Sequence, residues 1–473
     1  MFLYFHRSVV NGHGQPMTLS QSRRIAFDIL RRVEAEGAYA SDLLHGELGP
    51  GVTRKDAALA TELAMGVLRW RGLLDFLLER HLKKPIARLD LAVALALRMG
   101  IYQIRFLTRI PASAAVNESV ELARLGRKAS AAPLVNAVLR KVSAESGVPA
   151  DQFLPYGQTS AERLSILHSH PAWMVGRWIS RHGEARTTAL LEANNRALKI
   201  SCAWNGPQNR EEIARELERD GLAVSNGQFL KTAFTVTGGN VARTNAFRAG
   251  KFSILDEASQ AIPLLLDVQP SGRILDLCAA PGGKTPPLVR AAGCAGIVVA
   301  TDRHAHRLRA MSKQLERLGL LRRVHLVELD ASLPLPFRAP FDRILVDAPC
   351  SGTGTLARHP EIRWRLQPER LAELHVLQTQ ILAMAIQSLA RGGRLLYSTC
   401  SLEPEENEDV ITEALKSANS IRRVSAGEIA PALARHLSLE SGAVRLFDEA
   451  GQFRTFPGEQ PTDGFFAAML EKK

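Results

Sequence analysis

The stretch that decides the fold runs from Arg273 to Cys400 and contains five short apolar runs: RILDL (273–277), GIVVATD (296–302), VHLVELD (324–330), FDRILVDAP (341–349) and GGRLLYSTC (392–400). Segments with helical periodicity separate them, such as 305–318 and 366–390. Strands that alternate with helices of crossover length are typical of a doubly wound parallel sheet. Near the C-terminus, FRTF (453–456) and GFFAAML (464–470) flank a turn-rich stretch and predict a closing antiparallel pair.

The sequence before this stretch predicts two further domains and a tail. Apolar residues recur at helical spacing from Ser20 to about Val142, so we expect an all-α bundle over residues 20–148. Residues 149–255 contain strand-like runs at 198–204 and 229–236 with a helical segment between them, which predicts a small α/β module. We assign residues 256–473 to the doubly wound domain and residues 1–19 to a flexible tail, in which Met17 is an alternative start.

Composition limits the class of protein. With 46% hydrophobic and 23% charged residues, the chain is neither largely disordered nor collagen-like. The net charge of +12 favours a polyanionic partner, either nucleic acid or anionic lipid. The five cysteines are an odd set without zinc-ligand spacing, which predicts free thiols and a reducing compartment. No apolar run reaches the length of a membrane span, so we expect a cytoplasmic protein.

Most of the excess positive charge lies in the first 150 residues. Two interpretations of the basic residues in the predicted bundle remain open: they belong either to ordinary solvated helix faces or to an RNA-binding face. The residues concerned are Arg69, Arg71, Lys83, Lys84, Arg105, Arg127, Lys128, Arg140 and Lys141.

The carboxyl ends of the predicted strands are where a doubly wound sheet binds its ligand. The first strand is followed by CAAPGGK, which matches neither GxGxxG nor the Walker pattern and so argues against dinucleotides and nucleoside triphosphates. The next three strands end in Asp302, Asp330 and Asp347. A single aspartate there is more often a helix cap, but three in series after a glycine turn predict a site for an adenosine-containing cofactor without a pyrophosphate cradle. S-adenosylmethionine fits this description.

Two cysteines follow the fourth and fifth strands, Cys350 in DAPCSGTG and Cys400 in YSTCS. Both lie in polar turns outside the apolar runs, which argues against two inert core thiols. A thiolate that adds to carbon 6 of a pyrimidine activates carbon 5 toward a sulfonium methyl group. The residues alone do not decide which of the two cysteines is the nucleophile.

Three motifs resemble the Sun/RsmB family of RNA cytosine-5 methyltransferases: LDLCAAPGGKT (275–285), DAPCSGTG with RHPEIRW (347–354 and 358–364), and YSTCSLEPEENEDV (397–410). PASAAVNESVELAR (111–124) and APLVNAVLRK (132–141) are similar to the NusB-like helical RNA-binding domain of the bacterial members. The resemblance implies a Rossmann-like S-adenosylmethionine-dependent methyltransferase domain behind an all-α NusB-like bundle and a small α/β middle module.

The resemblance also implies a role for each site residue. Cys278, Ala279, Ala280, Pro281, Gly282, Gly283 and Lys284 would hold the methionine and ribose portions of the cofactor. Asp302 would bind the ribose hydroxyls, Asp330 the adenine edge, and Asp347 would lie beside the cofactor and the target base. Cys400 would attack carbon 6 and Cys350 would assist product release. This choice rests on the resemblance, because DNA cytosine methyltransferases use the cysteine of a Pro-Cys pair and this chain contains Pro349-Cys350.

We therefore expect a monomeric, cytoplasmic enzyme that forms 5-methylcytosine in small-subunit (16S) ribosomal RNA. We expect no metal site and no membrane contact. Two alternatives remain open, namely the same chemistry on transfer RNA or DNA, and a non-catalytic RNA-binding factor with a methyltransferase fold. The pair Pro286-Pro287 after the glycine loop predicts a slightly delayed helix.

Overall fold

The computed structural model of the protein describes residues 19–49, 51–206, 210–438 and 446–473. All of the predicted tail except Leu19 lies outside these residues. The chain divides into two compact units: the first comprises the described residues up to Leu191 together with His359–Trp364, and the second comprises Glu192–Arg358 and Arg365–Lys473. No helix within the described ranges is long and apolar enough to cross a bilayer.

The first unit is helical, as predicted for residues 20–148, but it also includes residues 149–191, which the sequence analysis assigns to the α/β module. Side-chain caps mark the start of two of its longer helices, where the Thr53 hydroxyl accepts a hydrogen bond from Asp56 N and the Asp90 carboxylate accepts one from Ala92 N. Its helices are α1 (Gln21–Glu36), α2 (Ala40–Glu47), α3 (Arg54–Glu79), α4 (Leu91–Phe106), α5 (Ala112–Leu125), α6 (Ala132–Ala144), α7 (Ser160–Leu167), α8 (Ala172–His182) and α9 (Glu184–Asn194), the last of which continues into the second unit.

The segment His359–Trp364 belongs to this helical unit although it follows the DAPCSGTG motif in sequence. The Glu361 carboxylate accepts a hydrogen bond from the backbone N–H of Ala40 at 3.1 Å. The Trp364 indole donates to the carbonyl oxygen of Leu68 at 2.9 Å. Backbone groups of α2 and α3 are thus the partners of this segment.

The second unit contains a small antiparallel sheet of order β2-β3-β1-β4, as expected for the predicted α/β module. Its elements are β1 (Ile200–Trp204), α10 (Arg210–Arg219), β2 (Ala223–Asn226), β3 (Ala233–Thr237), α11 (Asn245–Arg248) and β4 (Phe252–Ile254). The run predicted as a strand from residue 229 becomes β3 only at Ala233. The N–H groups of Phe229 and Leu230 instead donate to the carboxylate of Glu257, at 2.8 and 2.7 Å, and are therefore not available to a neighbouring strand.

The larger sheet is the doubly wound sheet that the five apolar runs predict. Its strands are β5 (Arg273–Leu277), β6 (Ile297–Asp302), β7 (Val324–Glu328), β8 (Phe341–Asp347), β9 (Leu389–Thr399), β10 (Ile421–Arg423), β11 (Phe453–Thr455) and β12 (Phe465–Lys472). Their order is β10-β12-β9-β8-β5-β6-β7, with β11 paired to β12. β5 to β9 pair in parallel, whereas β12 is antiparallel to β9 and to β11, which confirms the predicted closing pair.

Helices cover both faces of this sheet. Successive residues of a strand point to opposite faces, and apolar residues are buried on each side. In β5, Ile274 packs into one apolar cluster and Leu275 and Leu277 into another. The helices of this part of the chain are α12 (Glu257–Leu265), α13 (Thr285–Ala292), α14 (Ala305–Arg317), α16 (Glu369–Gln387), α17 (Glu408–Ser417) and α18 (Ala426–Ala434), whereas the short α15 (Ile362–Arg365) belongs mostly to the first unit.

The helix after the glycine loop is not delayed, so this prediction from the proline pair is wrong. α13 begins at Thr285, directly after Lys284, and takes both prolines into its first turn. The first N–H groups of a helix have no partner within the helix, so proline costs no hydrogen bond at these positions.

One glycine in the helical unit gives a direct test of its packing. A Cβ atom at Gly66 in α3 would lie 2.0 Å from Tyr102 Cζ, and the Tyr102 hydroxyl is held by Glu62 at 2.5 Å. We expect Gly66→Ala to destabilise the protein by about 1–3 kcal/mol, the usual cost of overpacking. Gly46→Ala in α2, where a Cβ meets no atom within 4 Å, is the matched control and should stabilise by up to about 1 kcal/mol.

Thermal unfolding of the two variants, followed by circular dichroism, measures this difference. A Gly66→Ala protein that melts at or above the wild-type temperature would contradict the packing of α3 against α4.

Candidate active site

The order of the larger sheet reverses between β5 and β8, and the carboxyl ends of these neighbours flank a crevice where ligands bind in such folds. The loop Cys278–Lys284 leaves β5 at this edge and leads into α13. Its course is fixed by backbone hydrogen bonds, with Ala279 N donating to Thr301 O at 2.7 Å and Gly282 N donating to Ala279 O at 2.8 Å.

The loop conformation requires its small residues. Gly282 has a φ of +95°, and a Cβ atom there would lie 2.8 Å from Met311 Cγ. Cys278 also has a positive φ, of 58°, which is uncommon for a residue with a side chain. Ala279 and Ala280 are buried, and the bond from Ala280 to Pro281 is cis. The glycine turn predicted after the first strand is thus a tight loop at the crevice.

Two of the predicted carboxylates order the turns that follow their strands. Asp302 ends β6, is almost fully buried, accepts a hydrogen bond from His304 N at 3.0 Å and pairs with Arg307 at 3.0 Å. Asp330 lies two residues beyond the end of β7 and accepts hydrogen bonds from Ser332 N at 2.9 Å and Ser332 Oγ at 2.6 Å. These bonds lower the pKa of Asp330, so it is ionised at neutral pH. Asp302 and Asp330 therefore both cap the backbone of the turn after their strand, which is the ordinary role of an aspartate at this position.

The third carboxylate forms an ion pair with the last residue of the loop. Asp347, at the end of β8, lies 2.6 Å from Lys284 Nζ and accepts a hydrogen bond from Ser398 Oγ at 3.2 Å. Burial acts to lower the pKa of Lys284, but the charge of Asp347 and its hydrogen bond outweigh burial, with a further contribution from Cys400, and the pKa is raised. Lys284 is therefore a buried ammonium group at the crevice.

The two predicted thiols, Cys350 and Cys400, lie side by side. β8 and β9 are paired in parallel with Asp347 opposite Ser398, and the sulfur atoms of Cys350 and Cys400 lie 3.4 Å apart. The hydrogen bond with Cys400 raises the pKa of Cys350 well above its ordinary value, and burial and the negative charges of Cys400 and Glu406 act in the same direction. All five cysteines are free thiols in the structure.

A buried carboxylate that sequence reasoning missed ties the two cysteine turns together. Glu406 accepts hydrogen bonds through Oε1 from Ser351 N at 2.8 Å and from Gln378 Nε2 at 3.0 Å. Through Oε2 it accepts the hydroxyl groups of Ser351 and Ser401. These serines directly follow Cys350 and Cys400, so a single side chain holds both turns.

A second missed residue is Asp276 in β5, which is fully buried beneath the loop. Its Oδ2 accepts a hydrogen bond from the Thr285 hydroxyl at 2.6 Å, whereas its Oδ1 has no hydrogen-bond partner among the described residues. Burial raises the pKa of Asp276 to about 7, and the charge of Asp347 adds to this effect against the Thr285 hydrogen bond. The signal in the sequence is an acidic residue inside an otherwise apolar strand.

Three family models match this chain. The model described as 16S rRNA methyltransferase RsmB/F matches residues 263–471, the NusB family matches residues 20–144, and an RsmF/B-like ferredoxin-like domain matches residues 170–242. The small α/β module is thus ferredoxin-like.

Curated relatives match almost the whole chain. A probable ribosomal RNA small subunit methyltransferase B of Bacillus subtilis is 31% identical over 97% of this chain and 100% of its own length. The chain belongs to the RsmB/F family of 16S rRNA methyltransferases. Its counterpart in Sodalis glossinidius, ribosomal RNA small subunit methyltransferase B, is 34% identical over 95% of this chain and 98% of its own length. The solved structure of PH0851 is 26% identical and covers 96% of this chain and 100% of its own length, with a TM-score of 0.78.

Membership of the RsmB/F family confirms the predicted fold class and the predicted cofactor, S-adenosylmethionine. The residues at the crevice fit this group chemically. Its sulfonium and ammonium groups are cationic, and the strand ends offer the carboxylates of Asp276, Asp302 and Asp347, of which Asp276 retains an unpartnered oxygen. Among the described residues no group of His, Cys, Asp and Glu has the arrangement of a metal site.

For this RsmB/F protein, we expect Glu406→Ala to lower the rate of rRNA methylation about 100-fold. The substitution leaves both cysteine turns without their shared acceptor, and hydrogen bonds to charged groups contribute about 1.5–3 kcal/mol each. Glu406→Gln retains one acceptor oxygen and should lose less activity than Glu406→Ala. Asp409→Ala, an exposed carboxylate at the start of α17, is the control and should retain wild-type activity.

Transfer of labelled methyl groups to rRNA, with circular dichroism to verify folding, measures this order of activities. Equal activity of the Glu406→Ala and Asp409→Ala proteins would show that methylation does not depend on Glu406.

Proposed function

We propose that this protein methylates carbon 5 of a cytosine in 16S rRNA and that it does so through a covalent bond between Cys400 and carbon 6 of the base. The observation that carries the proposal is the pair of thiols 3.4 Å apart beside the ion pair of Lys284 and Asp347. Two thiols in one crevice supply a nucleophile for carbon 6 and a second group that can assist its release.

Carbon 5 of cytosine is too weak a nucleophile to react unaided, so the reaction begins with addition. The Cys400 thiolate forms a bond to carbon 6, and the electron pair of the ring double bond moves to carbon 5. S-adenosylmethionine, when bound, supplies the methyl group that carbon 5 takes up. A base then removes the proton from carbon 5, the double bond re-forms, and the bond to Cys400 breaks to release the thiolate.

The charges around the two thiols support Cys400 as the nucleophile. The ammonium group of Lys284 lies close enough to Cys400 for Cys400 to contribute to the raised pKa of Lys284. The raised pKa of Cys350 keeps that residue a neutral thiol, with the carboxylate of Glu406 on its side. A neutral Cys350 beside the departing sulfur is suited to assist product release.

The cofactor roles are proposals of the same kind. The loop Cys278–Lys284 holds the methionine and ribose portions, Asp302 the ribose hydroxyls and Asp330 the adenine edge. Asp347 lies at the junction of the cofactor and the target base. Their positions at the ends of successive parallel strands support these roles.

The target cytosine must be unstacked, because a thiol cannot reach carbon 6 inside a helix. We propose that the helical unit supplies part of the RNA contact. Of its nine basic residues named above, Arg69 is buried, Arg71 pairs with Glu34 at 2.9 Å, and Arg105 donates to backbone carbonyl groups. The remaining basic residues are exposed, although Lys128 pairs with Asp90 at 2.9 Å and Arg140 donates to Asn136 at 3.2 Å: Lys83, Lys84, Arg127, Lys128, Arg140 and Lys141.

The affinity for 16S rRNA should therefore fall steeply with salt. On single strands, the logarithm of the binding constant should fall by about 0.7 per tenfold rise in salt for each contacted phosphate. Filter binding between low and physiological salt measures the slope. An affinity that does not change over this range would contradict the RNA-binding role of the exposed cations.

Single substitutions separate the two thiols. We expect Cys350→Ala to accumulate a covalent protein–RNA adduct that resists denaturation, because addition and methylation proceed while release is impaired. Cys400→Ala should form no adduct and transfer no methyl group. Cys294→Ala removes an exposed thiol and should behave as wild type.

Denaturing gel electrophoresis with labelled 16S rRNA detects the adduct. An adduct in Cys400→Ala and none in Cys350→Ala would reverse the assignment. Methylation in both variants without any adduct would overturn the covalent mechanism.

A further inference from the structure

A second concentration of positive charge lies in the methyltransferase domain, around α14. Between Arg303 and Arg323 the sequence contains seven lysine or arginine residues, and its only acidic residue is Glu316. Such a charge excess has two possible causes, namely internal contacts of the fold or a surface that meets an anion.

Three of these seven cations serve the fold. Arg307 pairs with Asp302 at 3.0 Å and donates to Ala280 O in the glycine loop. Arg317 donates to Phe247 O at 2.5 Å, and Arg323 donates to backbone carbonyl groups near the end of α13. These contacts occupy the three guanidinium groups, so they are not free to bind another molecule.

The other four are exposed, and one of them, Arg303, lies just before α14 and helps to lower the pKa of Asp330. Arg309 and Lys313 on α14 and Arg322 on the turn that follows it form no hydrogen bond or ion pair with any residue that the structure describes. His306 lies on the same helix face as Arg309 and Lys313, since residues three and four apart are neighbours on a helix. We call His306, Arg309, Lys313 and Arg322 the α14 basic surface.

This surface starts beside the crevice. α14 begins three residues after Asp302, at the edge of the sheet that carries the thiols and the glycine loop. With a rise of 1.5 Å per residue, Arg309 and Lys313 lie about 6 and 12 Å along the helix from its first residue. The surface therefore begins at the crevice edge and runs with α14 toward the opposite edge of the sheet, where Arg322 lies two residues before β7.

We propose that the α14 basic surface binds the phosphate backbone of substrate RNA that extends from the crevice along α14. The proposal rests on the proposed function and adds to it a second RNA contact, in the methyltransferase domain. Charge complementarity carries it, because exposed and unpaired cations gain most from a densely charged polyanion through counterion release.

The test compares two triple variants that lose the same charge. Arg309→Gln/Lys313→Gln/Arg322→Gln removes the α14 basic surface. Arg338→Gln/Arg391→Gln/Lys416→Gln removes three exposed cations elsewhere in the same domain. The affinity of each full-length protein for 16S rRNA is measured at several salt concentrations, together with the KM for RNA and the affinity for S-adenosylmethionine alone.

We expect the α14 variant to bind 16S rRNA about tenfold more weakly than the control variant. Its logarithmic salt slope should be shallower by about 2, which corresponds to three lost phosphate contacts. Its KM for RNA should rise, while its affinity for S-adenosylmethionine without RNA should remain that of the wild type.

Equal RNA affinities and equal salt slopes for the two variants would overturn the proposal. The same holds if weaker methylation of the α14 variant is accompanied by unchanged RNA binding. The outcome is distinguishable from failure of the proposed function, because the latter requires that the wild-type protein form no 5-methylcytosine, whatever the α14 variant binds.

Discussion

The parallel pairing of β8 with β9 is the constraint on which the site depends. It brings Cys350 and Cys400, fifty residues apart in sequence, to a sulfur–sulfur distance of 3.4 Å. Strand pairing alone does not fix the turns beyond the strands, and here Glu406 does so by accepting hydrogen bonds from the residue after each cysteine. Backbone topology gives the approximate position of the thiols, and one buried carboxylate gives the exact geometry.

Unequal electrostatic surroundings then separate two chemically identical groups. Lys284, held by Asp347, presents a positive charge near Cys400, whereas Glu406 contributes negative charge near Cys350. A thiolate and a thiol side by side can divide the work of attack and release, which two thiolates 3.4 Å apart could not do without strong repulsion. The proposed mechanism rests on the two adjacent thiols together with the charged groups beside them.

Much of the fold could be predicted from the sequence, because the periodicity of apolar residues reports directly on strands and helices. What the sequence could not provide was the partner of each polar side chain. Arg307 and Arg309 look alike in sequence, yet the first pairs with Asp302 and the second is exposed. Glu406 lies in a run of acidic residues, and only the fold distinguishes it from its solvated neighbour Asp409. The same limit left the choice between solvated and RNA-binding cations open for the helical unit.

The most direct test of the account is the chemical position of the transferred methyl group. Small-subunit ribosomal RNA that lacks the modification would be incubated with the protein and labelled S-adenosylmethionine, and the product would be digested to nucleosides and mapped at base resolution. The account predicts label on carbon 5 of cytosine at a defined position, and none with Cys400→Ala. Label on a ring nitrogen, on a ribose hydroxyl or on another base, or label that persists in Cys400→Ala, would contradict it.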